Sequence, residues 1–299
     1  MKVNHLLRLY EQGNRDFSGA DLRGVDLSGV TLIGVNLTAA NLMGANLSRA
    51  FLTKSDLSNA NLNWANLSYV KMNEAKLVEA DLTKANLSGA FMVKSKLPHA
   101  KLSGANLTAV NLRGANLFGA NLCGACLQKI NLREANLSGV NLSWANLYEA
   151  RLSGAQLSGA SLKGVNLSKA FLKGVDLNGV ALEGVNLSQA RLGDANLEGA
   201  NLVAADLRGA HLRLVNLQGA DLTGANLVGA SLEQANLTWT ILSKADLRDA
   251  NLSEAKLKGA NLEGAKLYGA ILPELAKNFL SLSISSTVES HQLAQASFT

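Results

Sequence analysis

The chain has 299 residues and a net charge of +5, and it is 47% hydrophobic but only 5% aromatic. Two cysteines exclude a disulfide framework and favour a reducing compartment, and a mildly basic balance permits an anionic partner without requiring one. No apolar run reaches the roughly 18 residues of a membrane span. We therefore expect a cytoplasmic protein with no membrane span.

The first predicted element is a capping helix within residues 1–14. Gly13 suits the C-terminus of such a helix, and we expect the helix to lie over Phe17. The apolar residues that follow the helical spacing i, i+3, i+4, i+7 are Val3, Leu6, Leu7 and Tyr10.

Residues 15–274 consist of a five-residue repeat without insertion or deletion. Its middle position is Leu in 49 of 52 units, the exceptions being Phe17, Met72 and Met92. Two residues earlier stands Ala in 36 units and Val in 11, with Asn or Asp commonly between them. This alternation predicts an extended segment with Ala and Leu on one face and Asn on the other. A helix does not fit, because every fifth residue drifts around a helix of about 3.6 residues per turn.

The last two residues of each unit are predicted to turn the chain. Gly occupies the second turn position in 25 units, and a type II turn needs positive φ there. Pro98 suits the first turn position, but His99 follows it in place of Gly, so we expect another turn type at that corner. Four such sides close a coil, since three would crowd the leucines and five would leave a hole. About 13 coils spaced about 4.8 Å apart would form a rod roughly 60 Å long.

Units such as Ala135-Asn136-Leu137-Ser138-Gly139 resemble the pentapeptide repeat family, whose motif is written A(D/N)LXX. The resemblance covers residues 15–274. It implies an all-β fold, a right-handed quadrilateral parallel β-helix with Leu and Ala or Val pointing inward. The Arg15-Asp16-Phe17-Ser18-Gly19 unit after a short helix resembles members common in photosynthetic bacteria.

The end of the chain, residues 275–299, is predicted to hold a short helical cap and a mobile tail. Pro273 could begin that helix, with Leu275, Phe279 and Leu280 as its apolar residues. Residues 281–299 are Ser-rich and weakly patterned. Because open coil ends invite association, the protein is expected to be a monomer or an end-to-end dimer.

One side of the predicted coil differs from the other three. Its central outward residues recur every 20 positions from Thr31 to Ile271 and include only three Asn, and we name this side, with its turn residues, the basic face. Its net charge is +3, against 0, +1 and −1 for the other sides. Aromatic and Arg residues are enriched at binding hot spots. The candidate partner-binding residues are Phe51, Lys71, Phe91, Arg113, Arg133, Arg151, Phe171, Arg191 and Arg213.

An intramolecular interpretation of the basic face remains open at this stage. Phe side chains can stack along a column, and Lys54, Glu74 and Lys94 alternate in sign as neighbouring coils favour. On that interpretation the residues stabilise the coil and bind no partner.

Residue patterns for catalysis or metal binding are weak. Cys123 and Cys126 form a Cys-Gly-Ala-Cys sequence, but a zinc site needs about four ligands and only His99 could come near. No phosphate-binding loop is present, and a filled rod offers no deep pocket. We predict no enzyme activity, catalytic residue, cofactor or metal.

Three functions remain as hypotheses. The first is a non-enzymatic interaction rod that presents a face or an end to an unidentified protein partner. The second follows from the resemblance, because some family members modulate DNA gyrase by imitating DNA. The net positive charge disfavours it, since a DNA mimic needs a negative surface. The third is weak nucleic-acid binding by the basic face, which would be sensitive to salt.

Overall fold

The computed structural model describes residues 1–274. Its one helix within that range, α1, spans Val3–Glu11. After it, each unit contributes one bridge residue and a two-residue turn, so the sheet consists of isolated bridges and has no long strands. The helical cap and the tail predicted for residues 275–299 lie outside the described residues. Pro273 and Glu274, which precede them, are described.

Helix α1 covers the first coil of the rod. Leu6 is fully buried, while Val3, Leu7 and Tyr10 are partly buried against the hydrophobic core. The Tyr10 hydroxyl accepts a hydrogen bond from the backbone N–H of Ile33 at 3.2 Å. The helix is thus attached to the repeat by apolar packing and by polar contacts, which include a hydrogen bond from Arg15 Nη1 to the Tyr10 carbonyl at 2.7 Å.

The repeat winds into coils of 20 residues. Parallel bridges join residues 20 apart, from Asp16 with Asn36 to Asn251 with Ile271. Four pentapeptide units therefore make one coil, as the packing argument from the sequence predicts.

Backbone hydrogen bonds hold each coil to both of its neighbours. Asn136 N–H donates to the Ala115 carbonyl at 3.0 Å, and Leu137 N–H donates to the Gln156 carbonyl at 2.8 Å. The corner is closed within its own coil, where Val140 N–H donates to the Leu137 carbonyl at 3.1 Å. This pairing satisfies the polar groups that a buried backbone must otherwise leave unbonded.

Every corner from residue 19 to residue 269 has a positive φ at its second turn position. The glycines there have positive φ, as a type II turn requires, and so do 26 residues that are not glycine. His99 has a φ of 56°, so the prediction of a different turn type at that corner is wrong. The stacking of coils imposes the same corner on every residue type, although left-handed φ is costly for residues with a Cβ.

The interior is filled by the inward Leu column and the small residues beside it. Most are fully buried, including Leu117 and Ala120. Three buried hydroxyl residues occupy the small inward position, and each donates to a backbone carbonyl at 2.7 to 2.9 Å: Ser55, Ser95 and Thr240. Their polar groups are therefore satisfied within the core.

The outward Asn and Asp residues connect corners and coils. Asn186 Oδ1 accepts the backbone N–H of Ser188 at 3.0 Å, which is the usual hydrogen bond of an Asx turn. Between coils, Asn216 Nδ2 donates to Asn196 Oδ1 at 3.1 Å. One Asn per unit can thus serve both the turn that follows and the neighbouring coil.

A seam interrupts the inter-coil pairing near the middle of the rod, between residues 154–165 and residues 173–186. Within the described chain, Leu157 N–H and Leu162 N–H lack the hydrogen bonds to Asp176 and Ala181 that their positions predict. The equivalent amides two coils earlier, Leu117 and Leu122, do donate to the coil that follows, each at 2.8 Å. The coils therefore separate on two adjacent sides.

The seam coincides with a change in the outward residues. Gln156, Ser161 and Ala181 stand where Asn or Asp usually accepts the turn amide, and among residues 1–274 none of the three makes that hydrogen bond. Ala160 and Val180, which face inward at the seam, are only partly buried. The other two sides stay paired, as the bridge of Arg151 with Phe171 shows.

Candidate functional site

The structure places the central residues of the basic face in one continuous column. Phe51 pairs with Lys71 and Lys71 with Phe91, and farther along Phe171 pairs with both Arg151 and Arg191. The candidate residues nevertheless do not form one continuous site. They divide into two clusters and a separate edge.

The first cluster is aromatic, and we name it the aromatic cluster. Lys71 Nζ lies 4.3 Å from the centroid of the Phe51 ring, and Phe91 is 45% exposed. The corner before the face adds Arg49 and Tyr69, and Tyr69 is 54% exposed. The shallow groove of about 460 Å³ is lined by Gly29, Arg49, Phe51, Tyr69, Lys71 and Phe91. Within residues 1–274, no acidic side chain lines this groove.

Gly89 explains how Tyr69 can form a wall of this groove. The Tyr69 ring lies against Gly89, where a Cβ would come within 2.5 Å of it. Because Gly89 has no side chain, the ring can lie along the corner instead of projecting into solvent.

The second cluster is basic, and we name it the arginine cluster. Arg191 Cζ lies 4.7 Å and Arg151 Cζ 5.9 Å from the centroid of Phe171, which lies between them. The preceding corner contributes Lys129 and Lys169. The groove, of about 630 Å³, is lined by Lys129, Glu149, Arg151, Lys169, Phe171, Gln189, Arg191, Gly209 and His211.

The charge of the arginine cluster is strongly unbalanced. Its one carboxylate, Glu149, lies 3.9 Å from Lys129 Nζ. Lys169 Nζ lies 5.5 Å from the Tyr148 ring, and no carboxylate within residues 1–274 forms an ion pair with Lys169, Arg151 or Arg191. These three exposed cations are therefore available to an anionic group.

The remaining candidate arginines lie at first turn positions, on the opposite edge of the basic face. Arg113 Nη2 donates to Glu134 Oε1 at 2.9 Å, and Arg213 Nη2 donates to Gln234 Oε1 at 3.5 Å. Neither these two nor Arg133 line either groove. The structure thus separates these three from the other six candidate residues.

The carboxylate of Glu233 contributes negative charge near the far end of the basic face. Partial burial alone would raise its pKa, but hydrogen bonds from Ser231 and Asn251 and the positive charge of Arg213 outweigh that effect and hold the pKa below its ordinary value. Glu233 is therefore ionised at neutral pH, and its negative charge reduces the net positive charge at the end of the basic face near Ile271.

The Arg, Lys and Tyr groove residues that the sequence candidates did not include are Arg49, Tyr69, Lys129 and Lys169. Each is the second turn residue of the unit before the basic face, so sorting by unit assigned it to the neighbouring side. A corner borders two sides of the coil, and its residues recur every 20 positions like those of the face. Sorting corners separately would have found them.

The intramolecular interpretation receives partial support from these contacts. The basic face does contain stacked cations and rings, each worth about 0.5–1 kcal/mol at an exposed site. Within residues 1–274, however, no ion pair joins Lys54, Glu74 and Lys94, although their signs alternate. Phe91 and the cations of the arginine cluster remain exposed despite this stacking, so they are still accessible to a partner.

Other side chains provide no further candidate site. Cys123 is partly buried and Cys126 is exposed, and both are free thiols. Among residues 1–274 no group of three or more His, Cys, Asp or Glu side chains is arranged to hold a metal ion. Over the same range, α1 is too short to cross a membrane, and no other helix could do so.

Solved structures with similar sequences are pentapeptide repeat proteins. HetL of the cyanobacterium Nostoc sp. strain PCC 7120, a protein involved in heterocyst differentiation regulation, is 32% identical over 92% of this chain and 98% of its own, with a TM-score of 0.28. A thylakoid-lumen protein of Arabidopsis thaliana is 35% identical over 31% of this chain and 65% of its own, with a TM-score of 0.31.

QnrB1, a plasmid-mediated fluoroquinolone resistance protein, is 17% identical over 78% of this chain and 97% of its own, with a TM-score of 0.34. No protein with curated annotation matches the chain.

The model of the family called pentapeptide repeats matches the chain in successive, partly overlapping segments. They are residues 16–49, 45–83, 60–97, 75–114, 115–154, 155–194, 181–219, 190–229 and 230–269. Together they span nearly all of the repeat region described above. The chain therefore belongs to the pentapeptide repeat family.

Proposed function

We propose that the protein is a non-enzymatic interaction rod of about 13 right-handed coils that presents its basic face to a protein partner. The observation that carries this proposal is the pair of exposed clusters on one face. Exposed aromatic and Arg side chains are the residues that dominate protein interfaces. The three other sides are dominated by Asn and Asp, which serve turns and neighbouring coils.

The proposal is tested by affinity capture from the native cell with a face variant. Phe51→Asn combined with Phe91→Asn should abolish capture of the partner without unfolding the protein, because Asn is the commonest outward residue of the repeat. Ile241→Asn is the matched control, since Ile241 is an exposed apolar residue on a different side. Unchanged capture by the double variant would exclude the basic face as the docking surface.

Nucleic-acid binding is a second candidate, favoured by the net positive charge of the arginine cluster. Its affinity would fall steeply with salt, because phosphate contacts release counterions. An electrophoretic shift at low salt tests it. The gyrase hypothesis has no such support here, because a DNA mimic needs an acidic surface and this chain has a net charge of +5. A supercoiling assay tests that hypothesis directly.

We also propose that the C-terminal end can join two copies of the chain. In the last described coil the inward leucines are only partly buried, which contrasts with the preceding coils: Leu257, Leu262, Leu267 and Leu272. Light scattering should give a mass near twice 31.4 kDa at high concentration. A mass of one chain at every concentration would exclude the dimer.

A further inference from the structure

The two clusters differ in the groups that they can bind. The aromatic cluster exposes Tyr69 and Phe91 beside Phe51, and no carboxylate of the described part of the chain lines its groove. It is therefore suited to an apolar or aromatic side chain, which gains free energy by leaving water. Arg49 and Lys71 border this groove. Their positive charges would attract acidic side chains of the same ligand.

The arginine cluster is suited to carboxylates. Arg151 and Arg191 lie on either side of Phe171, with Lys169 on the adjoining corner. Guanidinium groups bind carboxylates through paired hydrogen bonds, and stacking on a ring restricts the orientation of each guanidinium. Glu149 offsets only one of the four cations in the groove, and that cation is Lys129.

The surface between the two clusters is polar and uncharged at its centre. Asn111 and Asn131 occupy the central column there, and Asn131 Nδ2 donates to Asn111 Oδ1 at 3.1 Å. Lys71 and Phe171, at the centres of the two clusters, are five coils apart, because bridged residues differ by 20. At about 4.8 Å per coil this separation is about 24 Å, the length of about seven residues of extended chain.

We propose that the basic face binds an extended acidic segment of the partner protein in a defined register. An apolar or aromatic side chain of that segment enters the aromatic cluster, and carboxylates about seven residues away bind Arg151, Arg191 and Lys169. The inference rests on the proposed function, and it adds the chemistry and the spacing of the ligand.

The charge distribution favours an acidic peptide over nucleic acid. Duplex DNA carries a phosphate charge about every 1.7 Å of its axis, so it is matched by an uninterrupted row of cations. The central Asn pair interrupts such a row, and Glu134 lies at the edge of the same face, where it holds Arg113. A peptide can carry its carboxylates at one end, against the arginine cluster, and an apolar side chain at the other end, against the aromatic cluster.

The test measures fluorescence anisotropy of labelled synthetic peptides with the full-length protein. The probe contains a Trp, a Gly and Ser spacer of about seven residues and about four consecutive Glu. We expect binding that weakens at least about tenfold when Glu is replaced by Gln, when Trp is replaced by Ser, or when the spacer is cut to about two residues. No binding up to about 1 mM, or equal binding of the short-spacer peptide, overturns the proposal.

Variants of the protein test which cluster binds which end of the peptide. Arg151→Gln with Arg191→Gln should weaken the Glu peptide at least about tenfold and leave the Gln peptide unchanged. Phe51→Asn with Phe91→Asn should weaken the Trp peptide and leave the Ser peptide unchanged. Arg23→Gln is the control, because Arg23 lies on a corner that does not border the basic face and pairs with Asp21. Thermal melting confirms that each variant is folded, and equal losses for both peptides would contradict the assignment.

Three further outcomes separate this inference from nucleic-acid binding and from the proposed function. If an oligo-dT of about 15 nucleotides binds more tightly than the acidic peptide, the ligand is a nucleic acid and the inference is wrong. If no peptide binds but the variant with Phe51→Asn and Phe91→Asn still loses its cellular partner, the inference fails and the interaction rod stands. If capture is unchanged, the proposed function itself fails.

Discussion

Arg208 binds the carboxylate of Asp206, two residues earlier, through two nitrogens of its guanidinium group. Arg208 Nε donates to Oδ1 at 2.8 Å and Nη2 donates to Oδ2 at 2.6 Å, while the backbone N–H of Arg208 donates to the same Oδ1 at 3.2 Å. Asp246 and Arg248 repeat this arrangement two coils later. These hydrogen bonds outweigh partial burial and lower the pKa of both carboxyl groups.

A carboxyl group with a lowered pKa makes stability depend on acid pH. Its contribution is present above the unfolded pKa of about 4 and is lost as the pH falls through the lower folded pKa. We therefore expect the urea midpoint to fall below about pH 4, and Asp206→Asn to make that fall shallower. Asn keeps the turn hydrogen bond, as Asn186 shows, and loses only the titrating charge.

A second variant, Arg208→Gln, tests the same pair from the other partner, because it removes the cation and keeps the carboxylate. It should also make the acid dependence shallower, because the pKa of Asp206 then returns toward its ordinary value. Urea unfolding between about pH 7 and pH 2.5 measures both variants. Curves parallel to that of the unaltered protein would show that this pair does not contribute to the acid transition.

The seam predicts uneven protection of the backbone. Among the described residues, the Leu157 and Leu162 amides find no carbonyl on the next coil, whereas the amides of Leu117 and Leu122, on the same two sides two coils earlier, do. We expect amide hydrogens in residues 155–164 to exchange faster than those in residues 115–124, because local opening there breaks fewer bonds. Hydrogen exchange with mass spectrometry compares the two segments within one molecule. Equal exchange would mean that the coils close across the seam in solution.

The inward leucines should be the largest single contributors to stability. Leu117→Ala is expected to lower the free energy of unfolding by about 2–5 kcal/mol, because the surrounding coils cannot collapse into the cavity. Leu157→Ala should lie toward the lower end of that range, since its coil is not bonded to the next one. Urea denaturation of both variants checks this order. A loss below about 0.5 kcal/mol at either position would show that the leucine is not a core residue.

Two substitutions at one corner column test the energy of the left-handed turn position. Ala109 has a φ of 58°, and Gly229, six coils later, has a φ of 65° with no other atom within 4 Å of a built Cβ. Ala109→Gly should raise stability by about 0.5–1 kcal/mol, and Gly229→Ala should lower it by about 1 kcal/mol. Thermal melting measures both. A change of the same sign in the two variants would contradict a conformational origin.

Most of the coil could be predicted from the repeat itself. The period of five and the alternation of Ala, Asn and Leu determine which residues face inward, since in an extended chain neighbouring side chains point to opposite sides. The prediction for His99 failed because it treated one corner in isolation. In the structure, the inter-coil hydrogen bonds of neighbouring corners hold His99 at a φ that its own side chain disfavours.

The candidate site was only partly predictable. The sequence alone determined the column of Phe51, Lys71, Phe91, Arg151, Phe171 and Arg191, because a strict period makes residues 20 apart neighbours. Only the tertiary structure decided that corner residues such as Tyr69 and Lys169 complete the two grooves, and that the coils part at Leu157. The direction of a corner side chain and the closeness of two coils depend on packing between chain segments, which no single repeat contains.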